Sequence, residues 1–116
     1  MKRSNNEYRY EVREAMRGGD GEVKIEHLWE AGSELLANTR MFGRLTLKAG
    51  SSIGFHAHEG EEEVFYIVKG HAQADDNGKT VELFPGDTLL TGNGAGHSVK
   101  SLGPEDLEMI AVISKY

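Results

Sequence analysis

From residue 41 onward, apolar and polar positions alternate in short runs separated by turn residues. "FGRLTLK" puts Leu45 and Leu47 on one face and Arg44 and Thr46 on the other, as a half-buried strand does. "VFYIVK" is β-branched and aromatic and stops at Gly70; with Phe65 and Ile67 on one face, Val64, Tyr66 and Val68 take the other. "HAQADDNGKTVELF" reads as a hairpin turning at Asn77-Gly78, a favoured two-residue turn. "PGD" marks a further turn, then come "TLLT", "GNGAG", "HSVKSL", a "GPED" turn and "LEMIAVIS". Short strands punctuated this regularly predict an all-β sandwich or barrel.

The first half is less regular. "EVKIEHLW" alternates, with Val23, Ile25 and His27 on one side, and reads as a strand. "SELLANTR" has the makings of one helical turn with Ser33 as its cap, too short to stand alone. Residues 1–22 are polar and charged and contain the turn-rich "RGGDG"; they read as an N-terminal arm, loosely ordered or ordered by a partner subunit. Residues 23–116 then form the one folded domain.

Composition narrows the classes. A chain of 116 residues fits one domain, and 38% hydrophobic with 28% charged residues is the balance of a soluble globule. Fifteen glycines against two prolines predict many tight turns. A net charge of −6 excludes the basic footprint of a nucleic-acid binder. The start "MKRSNNEYRY" lacks an apolar core for export, and no run is long enough to span a bilayer as a helix. Cysteine is absent, which removes disulfides and thiolate chemistry and fits a reducing, cytoplasmic setting.

The candidate chemistry lies in "GSSIGFHAHEGEEEVFYIVKG", residues 50–70. In a strand, positions i and i+2 share a face, so His56 and His58 project together and can share an ion. Glu62 and Glu63 must point to opposite faces, so only one of them can join the histidines. Strand parity leaves that choice open; Glu63 abuts the apolar run, while Glu59, Glu61 and Glu62 read as a solvated loop around Gly60.

The same residues resemble the first motif of the cupin superfamily: Gly50, His56 and His58, Glu63 after four residues, and Gly70 after six. The resemblance selects Glu63. A second motif matches Gly86, Gly94 and His97, with Gly92 where proline is usual and Ser101 where asparagine is usual. The likeness covers roughly residues 40–114. It implies a double-stranded β-helix, or jelly-roll barrel, with extra N-terminal strands, and His56, His58, Glu63 and His97 as metal ligands. Three imidazoles and a carboxylate suit a divalent first-row ion, manganese or iron first, nickel or zinc behind.

Among cupins the chain looks like small bacterial members of the oxalate-decarboxylase-like or mannose-6-phosphate-isomerase-like kind. The arginine usual three residues before the first motif histidine in oxalate enzymes is Ile53 here. Arg44, on the preceding strand, is therefore the candidate anion contact. The function this implies is metal-dependent work on a small organic acid or similar oxygenated anion, of decarboxylase or dioxygenase type. The alternative is a metal-containing module that binds or senses a small ligand without turnover. His27 and His71 read as packed or solvated histidines, and "GNGAG" as the turn that delivers His97. Exposed sheet edges and the polar arm predict a homodimer.

Overall fold

A computed structural model describes residues 1–116. The chain folds into ten strands: β1 (Arg9–Glu14), β2 (Glu22–His27), β3 (Thr39–Leu47), β4 (Ser52–Ala57), β5 (Glu61–Lys69), β6 (Ala72–Asp76), β7 (Lys79–Leu83), β8 (Thr88–Gly92), β9 (Gly96–Ser101) and β10 (Leu107–Lys115). They form a six-stranded sheet ordered β1-β2-β3-β10-β5-β8 and a four-stranded sheet ordered β4-β9-β6-β7. All ladders are antiparallel, as expected for a jelly roll.

The period-two pattern decides which face is buried. Leu45 and Leu47 on β3, Phe65 and Ile67 on β5, and Met109 and Ala111 on β10 all point between the sheets and are almost wholly buried. Val23 and Ile25 of β2 join them, as do Ile53 of β4, Ala72 and Ala74 of β6, and Val99 of β9. Each fully buried large aliphatic or Phe side chain contributes about 1.5–3 kcal/mol of transfer free energy. A one-residue slip of any of these strands would turn its core face to water, so the burial pattern fixes the register.

The hairpin at Asn77-Gly78 forms as expected, with φ of 50° and 98° at the two turn residues. Positive φ at both positions matches a twist-compatible turn, and Gly78 takes it without a Cβ clash. "SELLANTR" differs from its expectation. The Glu34 and Leu35 amides both donate to the Glu30 carbonyl, and the turn stops there. The Glu34 carboxylate is engaged by Arg3, and β3 begins at Thr39.

The N-terminal residues have their own place in the sheet. β1 pairs along its length with β2 of the same chain, from Arg9 opposite His27 to Glu14 opposite Glu22. A single 3-10 turn, Met16–Gly18, follows and packs on β4. Met16 rests against the core, which ties this segment to the barrel.

Candidate metal centre

β4 carries the feature that builds the site. Ile53 and His56 both face inward although they are three residues apart, which strict alternation forbids. The ladder with β9 resolves this by shifting register between Ile53, opposite Val99, and His56, opposite His97. Such a bulge re-aims the following side chains. It puts His56 beside His97 across the ladder, and His58 follows just beyond the strand end. The loop before β9 closes over that end: the His58 amide donates to Ala95 O at 3.0 Å and the Gly94 amide to His58 O at 2.8 Å. Glu63 enters from β5, opposite Thr91 of β8.

His56, His58, Glu63 and His97 thus converge, with candidate donor atoms all within 4.8 Å of one another. His97 Nε2 stands 3.2 Å from both His56 Nε2 and His58 Nε2. Glu63 Oε1 is 3.0 Å from His58 Nε2 and from His97 Nε2. His58, Glu63 and His97 are buried and His56 is partly open.

The outward nitrogens show what the inward ones can do. His56 Nδ1 lies 2.8 Å from the Gly54 carbonyl oxygen, and His58 Nδ1 lies 2.7 Å from Glu61 Oε2. Both partners only accept, so each Nδ1 carries a proton, and each ring in its neutral form turns an Nε2 lone pair inward. His97 Nδ1 meets the buried Thr91 hydroxyl at 2.9 Å, and Phe65 stacks on the His97 ring at 4.9 Å. Burial above all, then the neighbouring histidines and Arg17, lowers the His56 pKa and favours the neutral ring. Lone pairs and a carboxylate aimed at one another repel unless a cation stands among them. The donor set therefore fits a divalent metal ion, with the oriented outer nitrogens usual for ligating histidines.

Glu61 belongs to this arrangement, contrary to its reading as part of a solvated loop. β5 starts at Glu61, and the loop is only three residues, His58, Glu59 and Gly60. Besides accepting from His58, Glu61 takes a bidentate pair of bonds from Arg40 Nε and Nη2, both at 2.9 Å. Arg40 first, and His58 after burial's opposing effect, hold the Glu61 carboxyl at a pKa of about 2. Arg40, Glu61 and His58 form a charged chain leading to the metal cluster.

Beside the cluster is a cavity of about 120 Å³, the liquid volume of about four waters. Met16, Met41, Ile53 and Phe65 supply apolar wall; Arg13, Arg17, Arg40 and His27 supply polar groups. His27 Nε2 is 2.8 Å from Glu11 Oε2, and Arg13 Nε is 2.6 Å from Glu11 Oε1.

Arg44 is elsewhere. It occupies the outer face of β3, opposite in parity to the buried Leu45 and Leu47, and does not line the cavity. Its guanidinium pairs with Glu26 at 2.8–2.9 Å, bonds Asn5 and sits over the Tyr8 ring. The anion contact expected of Arg44 has no basis in this geometry, because a side chain inward from that position would break the alternation that buries Leu45 and Leu47. Tyr66 likewise lies on the outer face, while Phe65 is core. His71 stacks on Phe84, away from the cluster. At Gly92, where the motif usually has proline, a Cβ would come within 2.8 Å of Glu62 Cβ, so the tight crossing of β8 and β5 excludes a side chain there.

Comparison with known proteins agrees with this architecture. The Cupin domain family matches residues 43–113. An oxalate-binding protein of Thermotoga maritima is 46% identical over 99 residues, covering 84% of this chain and 80% of that protein. A crystal structure of a Thermotoga maritima protein, described as a predicted oxalate decarboxylase, superposes over 100% of both chains with a TM-score of 0.93 and 40% identity. KdgF from a Halomonas species shares the fold alone, at 18% identity and a TM-score of 0.72 over 97% of this chain and 94% of that one. With both motif histidine groups on one barrel and the family match spanning them, this chain belongs to the cupins.

Proposed function

We propose that the chain holds one divalent first-row metal ion on His56, His58, Glu63 and His97 and binds a small oxygenated organic anion beside it. The observation that carries this reading is the convergence of lone pairs whose outer nitrogens are held by Gly54 and Glu61. Manganese or iron come first, with nickel or zinc behind, because three imidazoles and one carboxylate with no thiolate suit a divalent first-row ion. When bound, the ion supplies a Lewis acid that polarises a carboxylate or enolate oxygen.

The protein's own groups do the rest. Glu61 keeps the His58 ring oriented and its Nδ1 protonated, and Arg40 keeps Glu61 ionised. The apolar wall limits water, and the cavity arginines draw in an anion. The oxalate-binding relative makes a small dicarboxylate the first ligand to try. Binding without turnover is favoured because the carboxylates nearest the cluster, Glu63 and Glu61, are already engaged by ring nitrogens and Arg40. A second reading, decarboxylation or dioxygenation, is supported by His27 of the cavity wall and its hydrogen-bond partner Glu11, an imidazole and carboxylate able to move a proton.

Two further parts of the proposal concern context. A cytoplasmic setting is supported by the lack of cysteine. No helix is long and apolar enough to cross a membrane. A homodimer is supported by the outer face of the six-stranded sheet. There Phe42, Val112, Val64 and Leu90 lie side by side across four strands, with Ile110 and Tyr66 in the next row. Leu90 and Tyr66 are exposed in the single chain, and a contiguous apolar area of this kind marks an interaction surface.

The test is metal analysis of chelator-treated, reloaded protein by mass spectrometry, followed by calorimetry with oxalate. One ion per chain, lost in His97→Ala, is expected. Protein that takes up no stoichiometric ion sinks the metal reading. Incubation with oxalate under air and under nitrogen, with assay of formate and carbon dioxide, decides the second reading.

A further inference from the structure

Arg3, Arg9, Arg13, Arg40 and Arg44 each pair with a carboxylate. Arg17 makes no such pair and no side-chain hydrogen bond, in a chain whose acidic residues outnumber its basic ones. It nevertheless lines the same cavity as His56, His58 and Glu63.

Its placement is tightly specified. Ala15 and Arg17 hold left-handed backbone at φ 48° and 55°, which costs non-glycine residues about 1–3 kcal/mol and persists only where the surroundings enforce it. The surroundings do so. The Ser52 amide donates to Asp20 O at 2.8 Å, and the Asp20 amide donates to Ser52 Oγ at 2.8 Å. Gly19 and Gly54 let the two backbones touch: a Cβ on Gly54 would collide with the Arg17 carbonyl, and one on Gly19 with the Ser52 carbonyl. Residues 15–20 thus form a strap cinched across β4, with Met16 anchored in the core and Arg17 at the cavity mouth.

We infer that Arg17 is the anion anchor of this cavity, pairing with the carboxylate of a small dicarboxylate that lies away from the metal ligands. Charge supports this. A divalent ion with one carboxylate ligand leaves one net positive charge, and Arg17 adds a second. Arg40 is offset by Glu61 and Arg13 by Glu11, so the site as a whole matches a dianion. Arg17 can reach such a group without breaking an existing pair, unlike the other two cavity arginines. The strap also fills the role left open by Ile53, whose motif position carries no cation in this chain. Specificity for a dicarboxylate over a monocarboxylate would then reside in the N-terminal segment and not in the motif strands.

This inference rests on the metal-site reading, and its test separates the two. Wild type, Arg17→Gln and Arg17→Lys are loaded with Mn²⁺ and titrated calorimetrically with oxalate and with glycolate, after metal content is measured. Glutamine keeps the left-handed backbone as well as arginine does, so the strap stays in place. Arg17→Gln should keep its metal, bind oxalate about 10-fold or more weakly, the scale of a lost charge-assisted hydrogen bond, and bind glycolate within about threefold of wild type. Arg17→Lys should recover part of the oxalate affinity. An unchanged ratio of oxalate to glycolate affinity in Arg17→Gln overturns the inference. If wild type takes up no metal, the metal reading fails, and the metal-free proteins are compared instead. Oxalate binding that Arg17→Gln loses then upholds the anchor, and equal or absent binding overturns it.

Discussion

Replacing Glu61 by glutamine tests whether the metal centre extends beyond its ligands. The substitution keeps the shape of the side chain and removes its charge. Glu61 Oε2 accepts from His58 Nδ1 at 2.7 Å, while Arg40 donates two hydrogen bonds to the same carboxylate at 2.9 Å. A glutamine whose oxygen takes the Oε2 place still accepts from His58 Nδ1 and Arg40 Nη2, but its amide then faces Arg40 Nε as a donor opposing a donor. Without the carboxylate charge behind its Nδ1 proton, His58 Nε2 becomes a weaker donor to an ion, and a weaker, neutral hydrogen bond orients its ring. Loss of such an outer partner typically weakens metal binding 10- to 100-fold, or about 1.4–2.7 kcal/mol. The metal-free protein should lose about 1–2 kcal/mol, because Arg40 is 42% exposed while Glu61, at 16%, leaves an Arg40 donor opposed in a partly buried place. Competition against a chelator for Mn²⁺ measures the first quantity and urea unfolding with chelator present the second. Glu62→Gln is the matched control, since Glu62 points outward and is exposed. If Glu61→Gln binds Mn²⁺ within twofold of wild type, or Glu62→Gln loses as much, the charged chain from Arg40 to His58 has no part in holding the ion.

The remaining predictions concern the frame around the site. Gly54→Ala should destabilise the fold by about 1–3 kcal/mol through the clash with the Arg17 carbonyl, seen as a lower Tm, and should raise protease cleavage within residues 15–20. Arg44 holds the Glu26 carboxyl below its usual pKa, with burial opposing. A depressed carboxylate pKa gives stability that is present above the unfolded value near 4.5 and is lost as pH falls through the folded one. Glu26→Gln should therefore flatten the fall in stability below about pH 4.5 while changing little between pH 6 and 8, as urea midpoints across pH will show. Leu90→Glu should convert a wild-type dimer to monomer in sedimentation at micromolar concentration, with unchanged circular dichroism; monomeric wild type refutes the dimer.

Much of this site can be read from spacing alone, and the gaps have physical reasons. His56 and His58, Glu63 and His97 are legible because a strand repeats every two residues and because their motif spacing is unusual. Glu61 was within reach of the same rule. It shares parity with Glu63, so an inward Glu63 implies an inward Glu61, and only reading the acidic run as loop hid it. Arg44 shows the rule applied to the wrong end: Leu45 and Leu47 take the core, so their neighbour must face out. Thr91 alternates with Leu89 and is buried with it, but nothing in "TLLTG" says that its hydroxyl meets His97. Arg17 had no periodic signal at all. Its position depends on left-handed backbone at non-glycine residues and on two glycines far apart in sequence, a tertiary arrangement that local pattern does not encode.

Gly54 links the two halves of the site. Its carbonyl accepts from His56 Nδ1, and the bulge around it turns His56 inward next to His97. Its missing side chain is also what lets the Arg17 backbone lie against β4. A residue with a Cβ would push the strap away and, through the same peptide, disturb the orientation of a metal ligand. The metal half and the anion half are therefore not independent modules placed side by side. Any variant that lifts the strap should weaken both, whereas changing the Arg17 side chain should weaken only the anion half. That asymmetry follows from where the contacts lie: the strap meets β4 through backbone at Gly19 and Gly54, and the arginine meets the cavity through its side chain alone.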